Sequence, residues 1–179
     1  MNRSHVRLPL FLFLLFLCIG SSHYSREPES KNPMQIVMDQ IDSSGSRIGK
    51  TYDMFHMGYK MEGKFLHLEL CFFVHRKLAK AEARELLLLC AEEFMNDINA
   101  NEELRPHLSE YPFTLNNVGI NFYFQEEDGT GFHHPDLSYA AWRPRGIQFA
   151  TKDPEKKGGF KLFDTETHEE ALALIKVNQ

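Results

Sequence analysis

Residues 64–75 read KFLHLELCFFVH, and the way this stretch alternates decides how the rest of the chain must face. Successive side chains of a strand point to opposite sides. Leu66, Leu68, Leu70, Phe72 and Val74 therefore share one side, and Phe65, His67, Glu69, Cys71, Phe73 and His75 share the other. The uniformly apolar side calls for a helix against it, while the mixed side is predicted to be less covered. Upstream, Phe55, Met57, Tyr59 and Met61 alternate on one face and Glu62-Gly63 supplies a tight turn, so the two segments read as a hairpin. Downstream, Leu86, Leu87, Cys90, Phe94 and Ile98 recur at helical spacing between Lys80 and Asn99, with Glu82, Glu85, Glu92 and Asp97 directed to water. This is the predicted core helix.

The same reasoning extends to both ends. Val118, Ile120, Phe122 and Phe124 alternate strictly up to Glu127-Asp128-Gly129, which predicts a strand. Leu137 to Trp142, Ile147 to Thr151 and Phe160 to Asp164 read as shorter strands between turns. Thr167 and Glu170 form a T-x-x-E capping pattern before Ala171, Leu172 and Ile175, predicting a C-terminal helix. Met34, Val37, Met38 and Ile41 predict a short first helix ending at Ser43-Ser44-Gly45. The expected class is α+β: a single mostly antiparallel sheet of five to six strands, with a long core helix and a C-terminal helix packed mainly on one face, all within one domain spanning 34–179.

Ahead of that domain, Arg3 and Arg7 flank the start of an apolar run from Leu8 to Ile19, followed by Gly20-Ser21-Ser22. Charged head, short apolar centre and small residues are the three parts of an export signal. The run is twelve residues long, whereas a membrane-crossing helix needs roughly 20. Residues 1–20 are read as a cleaved signal peptide and 21–33, rich in Ser, Glu, Pro and Lys, as a flexible leader. The expected location is secreted or periplasmic, with no stable membrane span after cleavage. Loss of Arg3 and Arg7 takes the formal charge from −5 to −7. That acidity argues against a nucleic-acid partner, and 15 Phe with 6 Tyr argue against a disordered acidic chain.

Charge is also uneven along the chain. Glu82 to Glu110 carries a net −6 and Arg143 to Lys161 a net +4, the pattern of a solvated helix face and a solvated hairpin. Export would permit a disulfide between the two cysteines outside the signal. Strand parity opposes it: Cys90 belongs to the helix side of the sheet and Cys71 to the far side, so the required Cβ separation of about 3.5–4.5 Å is not met.

The stretch NDINANEELRPHLSEYPFTLNNVGINFYF, residues 96–124, together with the leucine-rich helix and the closing segment from His168 to Val177, resembles a group of small exported bacterial proteins of unassigned activity. The resemblance implies export from a bacterium. It carries over no catalytic residue.

Established chemical motifs are missing from the sequence. Neither a G-x-S-x-G elbow nor a G-x-G-x-x-G turn occurs, and the Gly45-Ser46-Arg47-Ile48-Gly49-Lys50-Thr51 segment has the wrong spacing for a phosphate loop. His133, His134 and Asp136 are weak metal-ligand candidates by donor type, since imidazole and carboxylate suit zinc-like ions. Their spacing matches no metal signature, and a polar hairpin loop is the plainer reading. Cys71 is a weak nucleophile candidate, with His56 as its base from the neighbouring strand, because residues four apart on one strand sit roughly 13 Å from each other. Phe65, Phe73 and Tyr123 are candidates for an aromatic binding surface on the less covered side. No cofactor is implied. The expected function is a small exported binding or interaction module with an unknown protein or small ligand as partner, and the competing expectation is a metal-assisted or thiol hydrolase using His133/His134 or Cys71.

Overall fold

The computed structural model describes residues 31–62, 65–153, 155 and 159–177, so the export segment and most of the leader lie outside the described residues. Helix α1 spans Pro33–Thr51. Asn32 caps it by accepting the Met34 amide at 3.0 Å, and Pro33 occupies a first-turn position whose missing N–H costs nothing. Asn32 and Pro33, read as the end of the leader, thus start the helix.

The helix does not stop at Ser43-Ser44-Gly45 but continues through Gly49. These small residues are contact points rather than breaks. The buried stripe runs Val37, Ile41, Ser44, Gly45, Ile48, Gly49, and Ser44 Oγ accepts from Gln40 Nε2 at 2.9 Å. A Cβ on Gly45 would stand 2.4 Å from His56 Nε2, and one on Gly49 2.7 Å from the Met54 carbonyl oxygen. Close approach of the next strand requires glycine at both positions. The Gly45–Thr51 segment is accordingly helical, which leaves no phosphate-binding loop there.

Strand β1 (Phe55–Glu62) pairs antiparallel with β2 (His67–Val74). The pairing slips between His56 and Gly58, so that Phe55 lies opposite Phe73 while Tyr59 and Met61 lie opposite Leu70 and Leu68. The bulge divides the predicted Phe55-Met57-Tyr59-Met61 face: Phe55 is on the far side and Tyr59 and Met61 pack against the core. Gly58, at φ +146°, holds the bulge.

Helix α2 (Lys80–Ala100) crosses from β2 to β3 (Val118–Phe124), and these two strands are parallel, as a helical crossover requires. Three antiparallel neighbours follow: β4 (Tyr139–Arg143), β5 (Gly146–Lys152) and β6 (Phe160–Glu166). The six strands lie in chain order. Helix α3 (His168–Val177) closes the chain, with the Thr167 amide donating to Glu170 Oε2 at 2.8 Å and the Glu170 amide to Thr167 Oγ1 at 3.1 Å. The fold is the predicted α+β architecture, mostly antiparallel with one parallel pair.

All three helices pack on the side carrying Leu68, Leu70, Phe72, Val74, Val118, Ile120, Phe122, Phe124, Trp142, Ile147 and Phe149. Ion pairs tie α1 to α2 and α2 to the sheet. Arg47 of α1 reaches Glu93 at 2.5 Å and Asp97 at 2.9 Å on α2. Arg84 of α2 is buried and makes a bidentate pair with Glu166 of β6, both contacts at 2.6 Å, joined by Lys80 Nζ at 2.6 Å. Cys90 lies in this core and Cys71 on the opposite side of the sheet; both are buried free thiols. Among the described residues no helix is long and apolar enough to cross a membrane.

Gly49→Ala tests the contact reading of α1. Alanine would stabilise an isolated helix, but here its methyl meets a backbone oxygen that cannot rotate away. The variant is expected to lose roughly 1–3 kcal/mol, measured as a lower denaturant midpoint with an unchanged m-value.

Candidate functional site

No described helix covers the far side of the sheet, so its residues must satisfy one another. Register sorts them into rows. One row runs Phe55, Phe73, Tyr123, Tyr139, and the next runs Gly58, Cys71, Asn121, Ala141, Gln148, Thr165. Lys60 and Glu69 begin a third.

Glu69 is the buried charge of this face, only 2% exposed. Arg143 reaches its Oε1 at 2.5 Å, and Asn121 Nδ2 donates to its Oε2 at 2.8 Å. Arg143 also donates to the Tyr139 hydroxyl at 2.7 Å, which in turn donates to Asn121 Oδ1 at 2.9 Å. The four side chains form a closed ring of hydrogen bonds across β2, β3 and β4. Room for Glu69 comes from Gly119, where a Cβ would lie 2.7 Å from Glu69 Cγ. Burial by itself would push the Glu69 acid upward; His67, the Asn121 amide and the Arg143 charge outweigh it and hold the acid at about 2. His67 is buried beside the ring with Nε2 3.3 Å from Glu69 Oε1, in contact with the carboxylate but poorly aligned for a hydrogen bond, and its Nδ1 has no partner among the described residues.

The aromatic row lies alongside. Phe55 and Phe73 stack at 6.5 Å between centroids, Phe73 meets Tyr123 edge-on at 6.3 Å, and Tyr123 meets Tyr139 at 5.3 Å. Phe160 of β6 closes the row at 6.2 Å from Tyr123 and 5.3 Å from Tyr139. His75 stacks on Phe73 from the other end at 6.5 Å. Two clefts flank the rings. One, of about 350 Å³, is lined by Asp53, Phe55, Phe73, His75, Arg76 and Glu127 among others; the second, of about 140 Å³, lies between Phe73, Tyr123 and Phe160.

The candidate residues separate in the fold. Phe73 and Tyr123 meet in the aromatic row. Phe65 does not join them, because β2 begins only at His67 and the strand parity does not extend back to residue 65. Phe65 sits in the preceding turn at φ +58° and lines a cleft with Pro33, Pro106, His107 and Leu108. Cys71 shares its side with Glu69 and Asn121, but His56 lies opposite Phe72, against its ring at 5.6 Å and beneath α1. The β1 bulge thus puts His56 on the other side of the sheet from Cys71, and burial pushes the Cys71 thiol up rather than toward thiolate. His133 and His134 are exposed on the loop before β4, and Asp136 is paired with Lys77 at 2.7 Å. Among the described residues no three His, Cys, Asp or Glu side chains converge on a point that could hold a metal ion.

Glu69, Asn121, Tyr139 and Arg143, along with Phe55 and Phe160, escape a reading of motifs. A signal for the first two is present: each is a polar residue in the middle of an otherwise apolar strand, on the side away from the core. Comparison with protein-family models, curated proteins and solved structures returns no match to the chain.

Acid titration tests the ring. The folded acid of Glu69 lies near 2, below its ordinary value of 4.5, so its contribution is complete above pH 4.5 and is lost as the pH falls toward 2. Glu69→Gln should flatten this part of the stability–pH curve. Removing one partner of a buried pair should also lower stability at pH 7 by about 3 kcal/mol, read from denaturant midpoints at pH 7 and pH 2.5.

Proposed function

We propose that the chain is an exported binding module, acting in the periplasm or outside the cell and engaging a protein or small ligand through the ring-bearing side of its sheet. One observation carries the reading: five of the six strands contribute an aromatic ring to a continuous row on the side where no described helix packs. Phe55 is 63% exposed and Phe160 46%. A contiguous row of rings, half-buried at its centre and exposed at Phe55 and Phe160, suits a contact surface, where aromatic side chains supply large area at low entropic cost. The charged head, apolar run and small residues from Arg3 to Ser22 support export, in keeping with the resemblance to small exported bacterial proteins.

A hydrolase has less to draw on. Its thiol is buried without a base beside it, and its paired histidines stand on an exposed loop with their nearby aspartate engaged by Lys77.

Two measurements test the proposal. N-terminal sequencing of the exported protein should begin at Ser21 or His23, and a chain retaining Met1 in the cytoplasm would overturn the location. A partner recovered from the exported fraction should bind the Phe55→Ser/Phe160→Ser variant at least tenfold more weakly. Both rings are exposed, so the variant should keep the wild-type denaturant midpoint; undiminished binding by a folded variant would remove this face from the interaction.

A further inference from the structure

We propose that the smaller cleft, between Phe73, Tyr123 and Phe160, takes a small aromatic carboxylate, its ring among these three side chains and its carboxylate on Lys152. The inference deepens the binding reading above and rests on it.

Size comes first. The cleft measures about 140 Å³, and an apolar cavity of about 150 Å³ takes up one benzene ring. A single six-membered ring matches it, and a fused two-ring system does not fit within it. Its walls suit an aromatic guest: Tyr123 stands 6.3 Å from Phe73 edge-on and 6.2 Å from Phe160 at an intermediate tilt, so ring faces and ring edges are both offered. Offset and edge-to-face contacts are the arrangements aromatic pairs prefer.

Charge decides the rest. Among the described residues Lys152 is the one charged residue lining this cleft, and no described carboxylate lines it. Among the described residues its ammonium makes no ion pair. The Lys152 backbone is held in place, its amide donating to Ser138 Oγ at 2.8 Å, and its Nζ lies over Gly131, 3.9 Å from where a Cβ there would be. The Ser138 hydroxyl is itself spent, donating to the Phe132 carbonyl. The cleft is therefore lined by an unpaired cation together with aromatic walls. The larger neighbour differs: it carries both Asp53 and Glu127 beside His75 and Arg76, and the Arg76 guanidinium is committed to the carbonyls of Tyr52 and Asp53 at 2.9 Å each. Nothing there selects an anion.

Benzoate and its neutral counterpart benzyl alcohol are the probes, titrated into the full folded protein and followed by amide chemical-shift changes. Benzoate is expected to bind at least tenfold more tightly than benzyl alcohol, shifting residues 123, 152 and 160. Lys152→Met should abolish that preference while leaving benzyl alcohol binding unchanged, and Phe160→Ala should weaken both. Equal affinity for the two probes, or a preference that survives Lys152→Met, would overturn the carboxylate assignment. Binding of neither probe, with partner binding still dependent on Phe55 and Phe160, would refute the small-ligand site and leave the binding face standing. Loss of partner dependence with benzoate still bound would do the reverse.

Discussion

The side of the sheet away from the helices is organised around one carboxylate, Glu69, buried in the middle of β2. An ionised group in that position needs both a counter-charge and hydrogen-bond donors, or it is expelled or neutralised. The cation comes from β4 and the amide donor from β3, so satisfying a single oxygen pair demands that three strands stand in one register. This matters most between β2 and β3. Their connection is a long helical crossover, and no tight turn sets their alignment. A slip of one residue would carry Asn121 to the core side and leave Glu69 without its donor. The ring of Glu69, Asn121, Tyr139 and Arg143 acts as a register lock for the one parallel pair in the sheet.

On the helix side, charge serves attachment. The acidic flank of α2 reads as solvated from its composition, yet Glu93 and Asp97 hold Arg47 of α1, and the single arginine near the start of α2 turns inward to Glu166. The long helix is thereby tied to its neighbour on one side and to the edge strand on the other. Apolar burial drives the packing, and these pairs select which of several similar helix placements is occupied.

Periodicity made most of the architecture legible. The two faces of β2, the core helix, β3, the three later strands and the capped C-terminal helix all follow from spacings of two or 3.6 residues. Legibility failed where a residue's meaning depended on a distant neighbour. Ser43-Ser44-Gly45 reads as a helix end because the strand pressing on Gly45 is invisible in the sequence of α1. Phe55 reads as sharing a face with Tyr59 and Met61 because a bulge shifts parity without altering composition. Of the aromatic row, Phe73 and Tyr123 are legible as aromatics on the mixed side of their strands, while Phe65 lies ahead of β2, where strand parity does not apply. The Glu69 ring was hidden because its members come from three strands whose order no local pattern encodes.

Tyr139 joins the two halves of the far face and ties the aromatic row to the polar ring. Its ring belongs to the aromatic row, in contact with Tyr123 and Phe160, while its hydroxyl is a member of the polar ring, accepting from Arg143 and donating to Asn121. Burial pushes its acidity well away from neutrality, so it remains a donor. A side chain fixed at its tip cannot swing at its base, and the rings packed on it lose freedom in turn. For the binding role proposed above, side-chain ordering that would otherwise oppose association, about 0.5–1.5 kcal/mol for each immobilised group, would already be met by folding. In the neighbouring row the Cys71 thiol is buried, and burial pushes it away from thiolate. The far face thus sets a row of mutually supporting rings beside a closed network of polar side chains.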